Sequence, residues 1–180
     1  MDRISGRQAG AGRALDDRLK EMKGHKDVIA CLQELIQAEL TAINQYILHA
    51  EMCENWGYRK LAGITKREAI GEMKHAEAAI ERMLYLDGMP DMGQIGPLRI
   101  GKNVKEQLQN DLQLEIDAVK RLNIAVATAV KCHDNGSREL FERILKDEEE
   151  HVDRLEAQLH LIKEMGYEYY LSQQLGEEKA

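Results

Sequence analysis

The chain of 180 residues is long enough to form one domain, and its low aromatic content of 4% disfavours a β-sandwich. A formal charge of −7 argues against binding to nucleic acid, whose phosphates attract clustered lysine and arginine, and favours a surface that attracts cations. No apolar run approaches the ~20 residues that span a membrane, so we expect neither nucleic acid nor a membrane as a partner.

The first 22 residues differ from the rest of the chain in being rich in glycine and arginine. We predict that residues 1–22 form a mobile extension, or precede a native start at Met22, and that residues 23–180 form the domain. A transit peptide is disfavoured because such peptides are poor in acidic residues, whereas this segment contains several. Because the segment also lacks the apolar stretch of a signal peptide, we expect a cytoplasmic protein.

Four long amphipathic segments, named A to D, follow the extension, and each is predicted to be a helix. The predicted bounds are about Lys26 to Trp56 for A, Tyr58 to Leu86 for B, Asn103 to Cys132 for C, and the residues after Ser137 to Met165 for D. We place N-caps at Asn103, which pairs with Glu106, and at Ser137. A short fifth helix is expected over residues 167–175.

The connections between the segments predict how the helices pack. A joins B through residues 55–58 and C joins D through residues 133–136, so each pair is expected to form an antiparallel hairpin. Residues 87–101 between B and C include both prolines and four glycines, and when extended they reach ~50 Å at ~3.3 Å each. A helix of ~30 residues is ~45 Å long, so this connection can cross the whole bundle and make C parallel to B. The sequence predicts an all-α four-helix bundle with one long crossover.

Each segment has a glutamate within its apolar stripe, where i, i+3/i+4 spacing directs side chains into the core. A buried carboxylate without a partner costs several kcal/mol, so four of them need protons or positively charged partners. Segments B and D add a histidine three residues after the glutamate, which places both side chains on one helical face. The residues are Glu39 in A, Glu72 and His75 in B, Glu115 in C, and Glu148 and His151 in D.

Two divalent metal ions would balance these side chains, because the charges of four carboxylates equal those of two ions and neutral imidazoles add nothing. The halves also match, since Glu39 and Glu72 are separated by the same interval as Glu115 and Glu148. A glutamate from each of two helices and Glu-x-x-His from each of the other two is the ligand pattern of di-iron carboxylate bundles. These ligands suit Fe, Mn or Zn, and oxygen chemistry favours iron. A metal-free buried polar network is the alternative.

Three stretches resemble the bacterioferritin family of haem-containing, ferritin-like proteins: AELTAINQY in A, EMKHAE in B and DEEEH in D. The likeness extends from about Met22 to Leu175. It implies a ferritin-like fold and a di-iron site in each subunit, with a tyrosine beside the metals that corresponds to Tyr46. The implied terminal ligands are Glu39 and Glu115, the bridging ligands are Glu72 and Glu148, and the nitrogen ligands are His75 and His151.

Segment B has a second apolar stripe beside its ligand face, formed by Ala69, Met73, Ala76, Ile80 and Leu84. Met73 is rotated ~100° from Glu72 around the helix, so this face is predicted to pack against another subunit. The resemblance implies more, because in the family a methionine at this place ligates haem, one from each of two subunits across a two-fold axis. We therefore expect a haem of the b type at Met73, which would help electrons leave the cage when stored iron is reduced.

Three positions depart from the family. Arg67 and Gly71 stand where some members have a histidine and an aspartate that bind iron on the inner wall, so an inner-wall iron site is not expected. Arg154 stands where relatives have a tryptophan, which argues against a redox role for an aromatic side chain there.

The resemblance implies a cage of twenty-four subunits built from haem-bridged dimers. Fe(II) would be oxidised by O2 or H2O2 at the di-iron site and stored as a ferric mineral, with a ferredoxin-like electron donor as a further partner. Two alternatives stay open: a related di-metal peroxidase that acts on peroxide without storage, and a structural haem or shell protein with an inert metal site. The three cysteines form no CxxC pair of the kind expected in a rubrerythrin-type peroxidase.

The remaining polar residues are predicted to have ordinary structural roles. Glu68 and Asp111 lie four residues before two of the expected ligands and are interpreted as cavity-lining charge, with a place beside the metals or on an iron path as the alternative. Four histidines lack paired spacing and are predicted to be surface or capping residues: His25, His49, His133 and His160. Cys31, Cys53 and Cys132 are expected to be small buried residues or free thiols in a reducing compartment.

Overall fold

A computed structural model describes residues 24–176, and within this range the chain forms five helices and no strand. The four long helices correspond to segments A to D, which confirms the predicted all-α bundle followed by a short helix. The predicted extension over residues 1–22 lies outside the described residues. The helices are α1 (Lys26–Asn55), α2 (Arg59–Tyr85), α3 (Val104–Lys131), α4 (Asn135–Met165) and α5 (Tyr167–Ser172).

Side chains cap the starts of α1 and α3. At α1, a ring nitrogen of His25 accepts the backbone N–H of Asp27 at 3.2 Å, so this histidine is a capping residue as predicted. At α3, the predicted cap is confirmed, because the Asn103 side chain accepts the backbone N–H of Glu106 at 2.9 Å. Helix α5 is shorter than predicted and ends at Ser172.

The predicted cap of α4 at Ser137 is wrong, because the helix already begins at Asn135. The carboxylate of Asp134 accepts the backbone N–H of Ser137 at 3.0 Å and so acts as the cap. Arg82 of α2 donates to the same carboxylate at 2.5 Å, which holds it in place. An ionised carboxylate held in this way is a stronger acceptor than a hydroxyl, so the helix starts earlier than the Ser137 pattern suggests.

The crossover between α2 and α3 runs alongside α1, which confirms the predicted topology. Side chains spaced along α1 accept backbone N–H groups from the crossover, and both segments run in the same direction. The crossover therefore returns the chain to the end of the bundle where α2 begins, and α3 runs parallel to α2. The acceptor and donor pairs are Gln33 with Asp91, Thr41 with Gly96, Gln45 with Arg99, and His49 with Gly101.

Two apolar clusters lie at different levels of the bundle and leave a polar layer between them. One cluster includes Leu32, Ile36, Met83 and Phe141, and the other includes Leu61, Val104, Leu108 and Ile162. Tyr46 and the four glutamates of the apolar stripes are buried in the layer between. Within residues 24–176, no helix is both long enough and apolar enough to cross a membrane.

Candidate metal centre

The structure brings all six predicted ligand residues together in the polar layer, with one glutamate from each of the four long helices. These glutamates are almost completely buried, with exposures of 0–3%. The six residues form two overlapping groups, in each of which one potential ligand atom per residue lies within 4.8 Å of the others. The groups are Glu39, Glu72, His75 and Glu148, and Glu72, Glu115, Glu148 and His151. Glu72 and Glu148 belong to both groups, so they have the shared position expected of bridging ligands.

Both histidines point the same ring nitrogen towards the centre. Nδ1 of His75 lies 3.0 Å from Glu72 Oε2 and 3.2 Å from Glu148 Oε1. Nδ1 of His151 lies 3.1 Å from Glu148 Oε2 and 3.2 Å from Glu72 Oε1. Each nitrogen is thus placed between the two shared carboxylates, from where it can ligate one of two neighbouring ions.

The outer nitrogen of each histidine contacts a further carboxylate. Nε2 of His75 lies 3.2 Å from Asp147 Oδ2, and Nε2 of His151 lies 2.9 Å from Glu68 Oε2. Arg154 donates from Nη1 to the other oxygen of Glu68. A carboxylate on the outer nitrogen of a ligating histidine fixes the ring orientation and leaves Nδ1 free for a metal. Sequence reasoning had interpreted Glu68 as cavity-lining charge, but its position beside His151 agrees with the alternative of a role next to the metals.

Burial and mutual repulsion make the centre unfavourable for negative charge. Burial raises the pKa of Glu39 and of Glu115, and neighbouring carboxylates raise both further, although the contact with His151 opposes the shift at Glu115. Burial would lower the pKa of the histidines, but contacts with the glutamates outweigh it, raising the pKa of His75 to about 10 and that of His151 to about 12. Without metal, protons on the imidazoles therefore balance part of the carboxylate charge.

Three buried polar atoms of the centre have no hydrogen-bond partner: Glu72 Oε1, Glu148 Oε2 and His151 Nδ1. His151 Nδ1 lies 3.2 Å from Glu72 Oε1 and 3.1 Å from Glu148 Oε2, but the orientation of the groups does not allow a hydrogen bond. Buried polar atoms are rarely left unsatisfied, and here they all face the space between the shared carboxylates. Metal ions in that space would satisfy them, so the donor set fits two divalent cations.

Tyr46 lies against the centre, in the place that the family resemblance implies. Its side chain is 1% exposed, and its hydroxyl donates a hydrogen bond to Glu115 Oε1. Burial raises the pKa of this phenol, and the charge of Glu115 raises it further, so the hydroxyl stays protonated and can hold the carboxylate. Its position agrees with a supporting role beside one of the two ions.

A cavity of about 370 Å³ opens beside both histidines of the centre. Its lining includes Gly71, Lys74, His75, Asp147 and His151. Both predicted nitrogen ligands therefore border a solvent-accessible space, while the glutamates lie behind them. The arrangement allows small ions to reach the imidazoles without unfolding the bundle.

The prediction that His49 is an ordinary surface or capping residue is wrong. Its side chain is 1% exposed, and Nδ1 lies 2.9 Å from Asp111, while Nε2 accepts the backbone N–H of Gly101. Asp111 is also buried and accepts a hydrogen bond from Gln45 at 2.7 Å, so it belongs to this network and supports the crossover. The signal was present in the sequence, because His49 follows Tyr46 and Gln45 at i+3 and i+4 on the buried face of α1.

The predicted outer stripe of α2 is only partly correct. Ala69 and Ala76 are buried within the chain, because they turn towards its interior. Met73 is 52% exposed and shares its face with two other exposed apolar residues, Ile70 and Leu84. The structure therefore leaves an apolar face around Met73 uncovered in the single chain.

Comparisons with known proteins agree with this architecture. The family model of the ferritin-like domain matches residues 29–165. Bacterioferritin BfrA of Mycobacterium tuberculosis is 45% identical over 152 residues, which cover 84% of this chain and 96% of that protein. Bacterioferritin of Streptomyces coelicolor is 44% identical over 151 residues, covering 84% and 90% of the two chains. Bacterioferritin of Brucella melitensis is 42% identical over 149 residues, covering 83% and 92%.

Proposed function

The chain belongs to the bacterioferritin family of ferritin-like proteins, and from this premise we propose that it stores iron and acts as a ferroxidase. Two Fe(II) ions bind in each subunit, are oxidised together to Fe(III), and leave for a cavity enclosed by many copies of the chain. When O2 is the oxidant, each iron loses one electron, and O2 takes up both electrons and two protons to become H2O2. When peroxide is the oxidant, the same two electrons and two protons convert it to water.

The observation that supports this proposal is the pair of overlapping ligand groups that share Glu72 and Glu148. Two separate sites would bind two ions independently, whereas shared carboxylates hold them next to each other. Adjacent ions can deliver two electrons to one oxidant molecule, which avoids its one-electron reduction. In this assignment Glu39 and Glu115 are the terminal ligands, and His75 and His151 bind through Nδ1.

The side chains of the centre prepare it for metal by storing protons. Fe(II) and protons compete for the same imidazole nitrogens and carboxylates, so binding of the ions releases protons. Four glutamates then neutralise two divalent ions in a buried layer where an unbalanced charge would be costly. Tyr46 holds Glu115 throughout, and the carboxylates of Asp147 and Glu68 keep Nδ1 of each histidine directed inward.

Met73 is proposed to hold a haem group through its thioether sulfur, together with a second copy of the chain. An exposed thioether between Ile70 and Leu84 fits this role, because haem iron accepts methionine sulfur and the porphyrin would cover the surrounding apolar side chains. The haem, when bound, would supply a redox carrier for reducing stored iron, with a ferredoxin-like protein as electron donor. We further propose haem-bridged dimers that assemble into a cage of twenty-four subunits in the cytoplasm.

An anaerobic Fe(II) titration followed by exposure to air tests the ferroxidase proposal. We expect saturation near two irons per subunit, rapid formation of ferric absorbance, and a cage-sized particle that retains the iron. Glu72→Ala removes a shared carboxylate and is expected to abolish rapid oxidation. Glu77→Ala is the matched control, because this glutamate is exposed on the same helix.

Two outcomes would contradict the proposal. Oxidation that is equally fast in Glu72→Ala and in the wild type would place the reaction outside the centre. A small particle that turns over peroxide but retains no iron would favour a di-metal peroxidase. The similar proteins favour storage, since those reported above are bacterioferritins.

A further inference from the structure

A second cluster of metal-ligating side chains lies outside the di-metal centre, where the start of α1 meets the end of α3. One potential ligand atom from each of His25, Asp27 and Cys132 lies within 4.8 Å of the other two. The set combines nitrogen, oxygen and sulfur donors, whereas the di-metal centre contains no sulfur. The cluster is therefore chemically distinct from the centre that binds iron.

Several contacts hold the three residues in place. The backbone N–H of Gly24 donates to Leu86 at 3.1 Å, which fixes the chain just before His25 against the end of α2. Cys132 is the C-cap residue of α3, and its backbone N–H donates to Thr128 at 3.0 Å. The start of α1 and the end of α3 are each fixed by a backbone hydrogen bond, so the three side chains converge from ordered backbone.

We propose that His25, Asp27 and Cys132 form a second metal site that binds Zn²⁺ or a similar thiophilic divalent cation. Zn²⁺ accepts imidazole, carboxylate and thiolate ligands in a tetrahedral arrangement, and a thiolate together with a carboxylate neutralises its charge. Mg²⁺ and Ca²⁺ prefer oxygen donors alone, so the cysteine selects against them. The fourth position is open to water.

The site requires only small movements of exposed side chains. With Zn–N near ~2.0 Å and Zn–S near ~2.3 Å, ligand atoms of a tetrahedral site are about 3.5 Å apart. The side chains of His25 and Asp27 are about half exposed, at 49% and 48%, so they can close this distance by rotating. A neutral imidazole has one lone pair, so ligation replaces the exposed hydrogen bond that His25 accepts from the Asp27 backbone.

Cys31 lies beside the cluster and provides a matched control. It follows Asp27 by one helical turn, is partly buried, and is close enough for the charges of Asp27 and Cys132 to act on its thiol. It is not one of the three converging residues. Cys31→Ser therefore removes a neighbouring thiol while leaving the proposed ligands intact.

Co²⁺ titration of the reduced, metal-free, full-length protein tests this site. A thiolate bound to Co²⁺ gives a charge-transfer band in the near ultraviolet, and the di-metal centre cannot produce this band because it has no sulfur ligand. We expect one such band, whose final amplitude corresponds to one thiolate-bound Co²⁺ per subunit once the di-metal centre is also filled, and which Zn²⁺ then removes by displacement. The band should be lost in Cys132→Ser, weakened in His25→Ala and retained in Cys31→Ser.

Alkylation of the wild-type protein gives an independent measurement that needs no variant. Zn²⁺ should slow alkylation of Cys132, identified in its own peptide by mass spectrometry, more than alkylation of Cys31. The absence of a charge-transfer band in the wild type would overturn the proposal, as would a band that persists in Cys132→Ser. Equal alkylation of Cys132 with and without Zn²⁺ would also overturn it.

Discussion

His75 and His151 occupy matching places in the two helical hairpins, yet their outer nitrogens contact carboxylates of very different exposure. Nε2 of His75 faces Asp147, whose side chain is 46% exposed. Nε2 of His151 faces Glu68, whose side chain is 14% exposed and is held from behind by Arg154. The inner environments are nearly the same, since both Nδ1 atoms lie between Glu72 and Glu148.

This difference indicates that the proposed ligands, although symmetric in sequence, need not give two equivalent metal positions. Water can compete with an exposed carboxylate such as Asp147, so the ring of His75 is held less firmly. The partly buried pair of Glu68 and Arg154 holds His151 in one orientation before metal arrives. Because pre-organised ligands lose less freedom on binding, we expect the position with His151 to bind its ion more tightly.

Removing the histidines one at a time should have the largest effect on metal binding at the two positions. His75→Ala and His151→Ala each delete one nitrogen ligand and leave the other ligand group intact, so each variant should bind one ion per subunit instead of two. His151→Ala should lose the tighter binding step and His75→Ala the weaker one. Anaerobic calorimetry with Fe(II) measures both steps.

His160→Ala is the matched control for these variants, because His160 is an exposed histidine of α4. It should retain both binding steps. The geometry indicates two separable metal positions, one with each histidine. Loss of the same binding step in His75→Ala and His151→Ala would contradict this.

Changing the outer carboxylates should have the next largest effect. Glu68→Gln keeps the shape of the side chain but removes the charge that supports His151, so affinity for the tighter ion should fall by ~10–100-fold. Asp147→Asn should lower affinity for the weaker ion by no more than ~10-fold, because solvent can replace the exposed carboxylate. Calorimetry of the two variants compares the steps directly, and a larger loss in Asp147→Asn would reverse our ranking of the two positions.

The sequence was sufficient to predict which six side chains converge in the polar layer, because their signal is local. A glutamate in an apolar stripe, with a histidine three residues later, defines a helical face without knowledge of the other helices. The contact between Glu68 and His151 joins α2 to α4, and its distance depends on how far each helix is rotated, which the stripe pattern does not specify. Arg154 was recognised as a departure from the family, but its partner became visible only in the packed bundle.

Polar residues that support the backbone were the ones most easily misjudged. His49 was predicted to be an ordinary surface or capping residue, although its spacing from Gln45 and Tyr46 places it on the buried face of α1. Its partners there come from the crossover and from α3, and the pattern along α1 does not specify them. The Ser137 cap was wrong for a similar reason, since Asp134 acts as the cap with help from Arg82 of another helix. In both cases a residue far along the chain decides the local structure.

The stability of the metal-free protein should depend on pH, with the His75 side affected first. The pKa of His75 is raised from 6.5 to about 10, so its stabilising contribution is fully present below pH 6.5 and is lost as the pH rises through 10. The pKa of His151 is raised to about 12, so its contribution persists to higher pH. The raised pKa values of Glu39 and Glu115 act in the same direction as those of the histidines.

Glu148 makes stability change with pH in the opposite direction. Burial would raise the pKa of this carboxyl, but contacts with both histidines outweigh that effect and lower the pKa from 4.5 to about 2. Its contribution is present above pH 4.5 and is lost as the pH falls through 2.

Because the contribution of His75 is lost over this range, the melting temperature of the chelator-treated protein should decrease between pH 6.5 and pH 10. The decrease should disappear with saturating metal, which replaces the protons. A metal-free melting temperature that rises over this range would contradict the proposed proton storage.

Arg154→Met should have the smallest effect, and its value lies in showing how the arginine acts. Arg154 contacts Glu68 and is not one of the six ligand residues, so we infer that it acts on His151 only through that carboxylate. Alone, Arg154→Met should weaken the tighter ion by less than ~10-fold, because Glu68 can still reach His151. In the Glu68→Gln background, the same change should have no further effect on affinity, since the charge that Arg154 holds is already absent. If the two effects multiply instead, Arg154 influences the centre by a route independent of Glu68. The affinity of the position with His151 would then depend on the net charge around it and not on the orientation of the histidine ring.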